Sequence, residues 1–178
     1  MSSSPPPGAP PSPATEVPRV LAGKYMIFRL GDGEYGFEIL KVREIIGLME
    51  ITTVPRTRDY FRGVINLRGK VIPVLDLRRK FAMAAVEPTD QTVIIVVQVE
   101  GEGGPRLTVG ILVDRVIEVL SVDATQVEPP PTFAATSVDV GFIKGIGKAD
   151  KRVIFLLDIG RVLAAEDSAA IEHLASAP

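Results

Sequence analysis

The side chains that could do chemistry in this sequence are carboxylates and guanidinium groups. Cysteine is absent and the single histidine, His173, stands in the C-terminal tail. A thiolate nucleophile, a disulfide framework and a histidine-rich metal cluster are therefore excluded, and no serine has a histidine partner outside the tail. Asp76 and Asp158 are the natural pair to consider for acid–base work. Each, however, stands just before a short helical run, LRRKF or IGRVL, where a carboxylate caps the free amides of the first turn. Asp32 and Glu34 lack the ligand spacing of a calcium loop and read as part of a hairpin turn. Glu44 and Glu118 alternate with apolar neighbours, as on the solvent face of a strand. Arg62, Arg68, Lys70, Arg78, Arg79 and Lys80 gather around one short stretch, either as a solvated rim or as a recognition surface. No set of activated groups in mutual reach emerges, so the reading is binding, with no enzyme chemistry and with neither metal nor cofactor.

The stretch that carries most of those cations is Phe61–Phe81, FRGVINLRGKVIPVLDLRRKF. It reads as two apolar strands joined by a tight turn at Leu67-Arg68-Gly69-Lys70, followed by a helical turn that begins at Asp76. Gly69 supplies the positive φ such a turn needs, where a side chain would cost about 1–2 kcal/mol. Arg68 is thereby held at the tip of a rigid hairpin. Pro73 argues that the second strand is an edge strand or carries a bulge.

The same pattern returns as Ile143–Leu163, IKGIGKADKRVIFLLDIGRVL, at a constant offset (143 − 61 = 82). An earlier segment, GFEILKVREII from Gly36, returns as GILVDRVIEVL from Gly110 (110 − 36 = 74). Two copies in the same order imply an internal duplication. The turns differ most, Asn66-Leu67-Arg68-Gly69 against Lys148-Ala149-Asp150-Lys151, so they are the better candidates for function.

About ten short strands with turn signals between them predict an all-β protein. The expected architecture is two five-stranded β-barrels side by side, with short helical turns and a groove between the barrels. The first barrel is expected mainly over 24–86, the second mainly over 90–163. Residues 1–20, rich in Pro and Ser, read as a disordered leader, and 166–178 as a short terminal helix. Thr57–Phe61 reads as one helical turn, and Thr92–Val99 as a strand buried on both faces. A net charge of −2 among 178 residues leaves no electrostatic footprint for nucleic acid. The lack of a signal peptide or a long apolar run predicts a cytoplasmic chain with no membrane insertion.

Several of these motifs occur together in one known family. GDGEYGFEILKVREI, then VP, then FRGVINLRGKVIPVLDLRRKF, then VGILVDRVIEVL closely resemble the CheW-like domain family of bacterial chemotaxis coupling proteins, over about Tyr25 to Ala164. The same module closes the kinase CheA and opens CheV proteins. Arg58 departs from the pattern, standing where the family commonly has a second Pro. The resemblance implies two five-stranded SH3-like barrels over residues 21–165. It also implies an adaptor that binds the cytoplasmic tip of chemoreceptors and the regulatory domain of a CheA-like histidine kinase, recruited to membrane-associated arrays. Carried over residue by residue, the partner-binding positions are Val42, Glu44, Gly63, Arg68 and Val119.

Overall fold

The computed structural model describes residues 22–100, 106–129 and 142–163. The expected leader (1–20) and terminal helix (166–178) lie outside them. The first copy of the repeat supplies β1 (Gly23–Leu30), β2 (Gly33–Glu38), β3 (Val42–Gly47), β4 (Phe61–Leu67), β5 (Lys70–Asp76) and the one-turn helix α1 (Leu77–Lys80). The second supplies β6 (Val93–Glu100), β7 (Arg106–Val113), β8 (Arg115–Val122), the two-residue β9 (Val127–Glu128), β10 (Ile143–Ala149), β11 (Arg152–Leu157) and α2 (Ile159–Val162). The fold is all-β, two SH3-like barrels side by side. Residues 55–60 form turns, not the expected helical turn.

The strands do not divide between the barrels as the sequence order suggests. One sheet runs β8-β1-β2-β11-β10-β9 and the other β3-β6-β7-β5-β4, so each barrel takes strands from both repeats. The division into 24–86 and 90–163 is corrected accordingly, and β9 makes the first sheet six-stranded. Chain connectivity gives the reason. β1 pairs antiparallel with both β2 and β8, so a strand in the place of β8 runs parallel to β2. A parallel return needs a crossover of about a dozen residues. Only the 3-10 turn Ile39–Lys41 separates β2 from β3, and only Asp114 separates β7 from β8. Each hairpin therefore runs onward into the opposite barrel. Both barrels complete themselves through equivalent parallel ladders, Leu156 beside Gly36 and Val74 beside Gly110.

Two-sided burial follows from this exchange. On β1, Tyr25 and Ile27 point into the six-stranded barrel, whereas Met26, Phe28 and Leu30 face the cluster shared by both sheets. On β6, Ile94 and Val96 enter the five-stranded barrel, while Ile95, Val97 and Val99 join the shared cluster. The near-continuous apolar runs of β1 and β6 exist because both faces are dry. Each such side chain contributes about 1.5–3 kcal/mol.

Asp76 and Asp158 act as the caps expected of them. The Asp76 carboxylate accepts from the amides of Arg78 and Arg79, and that of Asp158 from Gly160 and Arg161. Pro73, by contrast, does not mark an edge, since β5 lies between β4 and β7. Its partner Val64 spends its own N–H and C=O on Thr52, at 2.9 and 2.8 Å. The Val64–Pro73 pair thus exchanges no hydrogen bond, and the ladder to β7 begins only at Val74. The missing N–H is never called on.

Candidate functional site

The hairpin turn sets the site. Arg68 has φ 52° and Gly69 φ 86°, the two positive values of a type I′ turn, whose twist matches that of the strands it joins. The Gly69 amide donates to the Asn66 side-chain oxygen at 2.9 Å, which fixes the turn from within. Arg68 therefore occupies the left-handed region that a side chain enters only under constraint. Its guanidinium reaches across to pair with Glu44 on β3.

That pair stands on the rim of a cavity of about 730 Å³ at the mouth of the five-stranded barrel. Period-two alternation builds the lining. Lys70 and Ile72 on β5, and Val96 and Gln98 on β6, stand two residues apart and so share the face that lines it, and Ile72 and Val96 belong to the core of the barrel below. The floor is thus apolar. Among the described lining residues four are cations, Arg43, Arg68, Lys70 and Arg106, and one is a carboxylate, Glu44. Arg43 is anchored by donating to the Gln98 side chain. Such a mouth suits an aliphatic anchor carried next to negative charge.

The five expected positions do not form one patch. Glu44 and Arg68 are brought together. Val42 is set apart from Glu44 by a bulge and packs, half-buried, against the shared core. Gly63 lies at the bulge of β4 with φ 140°, and a Cβ there would stand 2.0 Å from the Thr52 carbonyl oxygen. Its glycine serves the backbone. Val119 lies on β8 in the other sheet and is 49% exposed. The expected groove between the barrels is largely filled by the shared apolar cluster. A crevice of about 260 Å³ opens beside Glu38, Lys41, Lys144 and Asp158. Sequence reasoning missed Arg43, Gln98, Arg106 and Thr108. They reach the mouth through the β3–β6–β7 pairing, which no local pattern specifies.

Behind the site, a charged clamp ties the β1–β2 turn and α1 to the β7–β8 connection. The Asp114 carboxylate accepts from Arg78 at 2.7 and 2.6 Å and from the Gly31 amide at 2.8 Å. Burial works against the Asp114 carboxylate and is the largest single influence, yet these bonds and the Arg78 charge outweigh it and hold its pKa below the usual range. Among the described residues there is no group of three or more His, Cys, Asp or Glu that could hold a metal ion. Nor is any helix long and apolar enough to cross a membrane.

The CheW-like domain model matches residues 24–167. The chemotaxis protein CheW of Klebsiella aerogenes is 41% identical over 152 residues, which span 85% of this chain and 88% of that protein. The probable chemotaxis protein CheW of Rhizobium etli is 38% identical over 143 residues, 80% and 88% of the two chains. Among solved structures, the scaffolding protein TtCheW of Thermoanaerobacter tengcongensis superposes with a TM-score of 0.72 at 33% identity, covering 83% of this chain and 96% of that one. Matched by that model over residues 24–167 and 41% identical to one of its members over most of both chains, the chain belongs to the CheW-like domain family.

Proposed function

We propose that this chain is a non-catalytic adaptor of a chemosensory array, coupling the cytoplasmic tips of chemoreceptors to the regulatory domain of a CheA-like histidine kinase. Membership of the family supports the reading, and the Glu44–Arg68 pair on the rim of an open, apolar-floored mouth carries it to particular residues. An ion pair this exposed contributes little to folding, of the order of 0–1 kcal/mol. Its value lies in exchange, because a partner that offers charges of its own can take up Arg68, Glu44 or both while its aliphatic anchor enters the mouth. Val119 on the opposite barrel gives the adaptor a second place to be held, as joining two partners requires. The adaptor works in the cytoplasm and reaches the membrane only through the receptors it binds. No nucleic acid, cofactor or metal takes part.

Co-sedimentation with receptor-containing membranes tests the reading, run with and without each CheA-like kinase of the organism. The expected result is that one kinase enters the pellet only when the chain is present, which also names the pathway. A chain that remains in the supernatant with every receptor and kinase would refute coupling while leaving the fold intact.

A further inference from the structure

The duplication gives the molecule two barrel mouths, and they are built differently. Gly36 stands opposite Ile27 and Gly110 opposite Val96. Arg29 therefore corresponds to Gln98, and Glu34 to Thr108. The hairpins correspond at their own offset, which matches Arg152 with Lys70 (152 − 70 = 82), and the third strands match Glu118 with Glu44 (118 − 44 = 74). At the open mouth these positions carry Gln98, Thr108, Lys70 and Glu44, and a cavity of about 730 Å³ lies over Val96 and Ile72. At the other mouth they carry Arg29, Glu34, Arg152 and Glu118, over Ile27 and Ile154.

Arg152 spans that second mouth. Its Nε and Nη2 donate to Glu34 at 3.2 and 2.7 Å, and its Nη1 donates to Glu118 at 2.9 Å. One guanidinium thus joins β11, β2 and β8. Hydrogen bonds from Arg152 outweigh burial and hold the Glu34 carboxyl below the usual carboxylate range. The two ion pairs differ in how readily they can be exchanged. The Arg68 side chain is 70% exposed and holds one carboxylate. The Arg152 side chain is 32% exposed, grips two carboxylates, and has its Glu34 partner at 13%. A partner can displace the first by breaking one contact, but must dismantle a planar, multidentate clamp to displace the second.

We propose that Arg152, held by Glu34 and Glu118, is a specificity-determining residue that plugs the second mouth, so that the partner surface received at Glu44–Arg68 has only one place to bind. This rests on the docking reading given above. It adds a bar across the second mouth to the difference the two turns already carry, Arg68 against Asp150.

The test uses the full chain in calorimetric titrations with the kinase regulatory domain and, separately, with a receptor cytoplasmic fragment. Arg68→Glu should weaken one of them at least fivefold. In that background, Arg152→Lys, Glu34→Thr and Arg29→Gln together with Asp150→Arg give the second mouth the Lys, Thr, Gln and turn Arg of the first. Binding of the same partner should then recover at least fivefold, whereas Asp150→Arg with Arg152 and Glu34 kept should not restore it. Folded protein with no recovery would overturn the plug. The reciprocal variant, Thr108→Glu with Lys70→Arg, keeps the proposal falsifiable should the first fail to fold. It builds the plug into the open mouth and should abolish binding at an unchanged Tm, so undiminished affinity overturns the proposal as well. Native affinity in Arg68→Glu alone sinks the docking reading and this inference with it, whereas failure at the later steps sinks the plug only.

Discussion

Replacing Gly63 by alanine separates a backbone role from a contact role at one of the positions the family resemblance marks for partner binding. At φ 140° the backbone stands where a residue with a side chain is strained, for about 1–3 kcal/mol. The new methyl would lie 2.0 Å from the Thr52 carbonyl oxygen and 2.7 Å from its carbon. Neither is the far end of a flexible side chain, so β4 and the Thr52 segment must part. Parting breaks the two Thr52–Val64 hydrogen bonds, at 2.8 and 2.9 Å, each contributing about 0.5–1.5 kcal/mol. The sum is roughly 2–6 kcal/mol, a large share of a typical stability of about 5–15 kcal/mol. For a chain of this size that corresponds to a fall in Tm of about 4–24 °C. Urea titration of Gly63→Ala against the native chain measures it directly. A partner-binding defect should then be no greater than the unfolded fraction explains. If Gly63→Ala unfolds within about 1 kcal/mol of the native protein and still loses its partner, the backbone argument is wrong and Gly63 is a contact.

Three further outcomes are expected. Arg68→Glu should unfold within about 0.5 kcal/mol of the native chain, yet lose about 1–3 kcal/mol of partner affinity in calorimetry. The charge swap Arg68→Glu with Glu44→Arg should restore the internal pair without restoring the partner. Asp76→Ala and Asp158→Ala remove equivalent caps, each worth about 1 kcal/mol. Asp76 is 6% exposed and also lies 3.4 Å from Arg62 and 3.6 Å from Arg79, so its loss should cost about 2–3 kcal/mol; equal midpoints in denaturant would contradict this. Asp114→Asn should destabilise the chain at neutral pH. Folding lowers the Asp114 pKa, so its contribution is complete above the unfolded carboxylate range, about pH 4, and is lost as pH falls through the folded value. Native and variant stability curves should therefore converge in acid, and a gap of constant size down to pH 2 would refute the assignment.

The hairpins, their turns and both helix caps were legible because each rests on neighbouring residues. Gly69 after Arg68 specifies a turn, and Asp76 before LRRK specifies a cap, whatever the remainder of the chain does. Arg68 was legible as a presented side chain for the same reason. Its pairing with Glu44 was not, because that contact spans 24 residues and depends on how β3 is placed beside β6. Pro73 misled for a related reason. The rule that proline belongs at an edge concerns one N–H, and here that N–H falls where neither neighbouring strand asks for it.

The duplication explains both what the sequence revealed and where it deceived. A repeat establishes which strands are equivalent, but equivalence leaves open whether β3 closes its own barrel or the other, since both choices bury the same faces against the same kinds of residue. The hydrophobic pattern is degenerate between them. What breaks the degeneracy is connection length, three residues after β2 and one after β7, too short for the return that a self-contained repeat would need. Exchange then has a consequence for function. Each mouth is lined by strands of both repeats, Glu44 and Lys70 from the first with Gln98 and Thr108 from the second. Each repeat therefore contributes to both ends of the molecule, and substitutions in either repeat let two mouths of common origin diverge into one that is open and one that is barred.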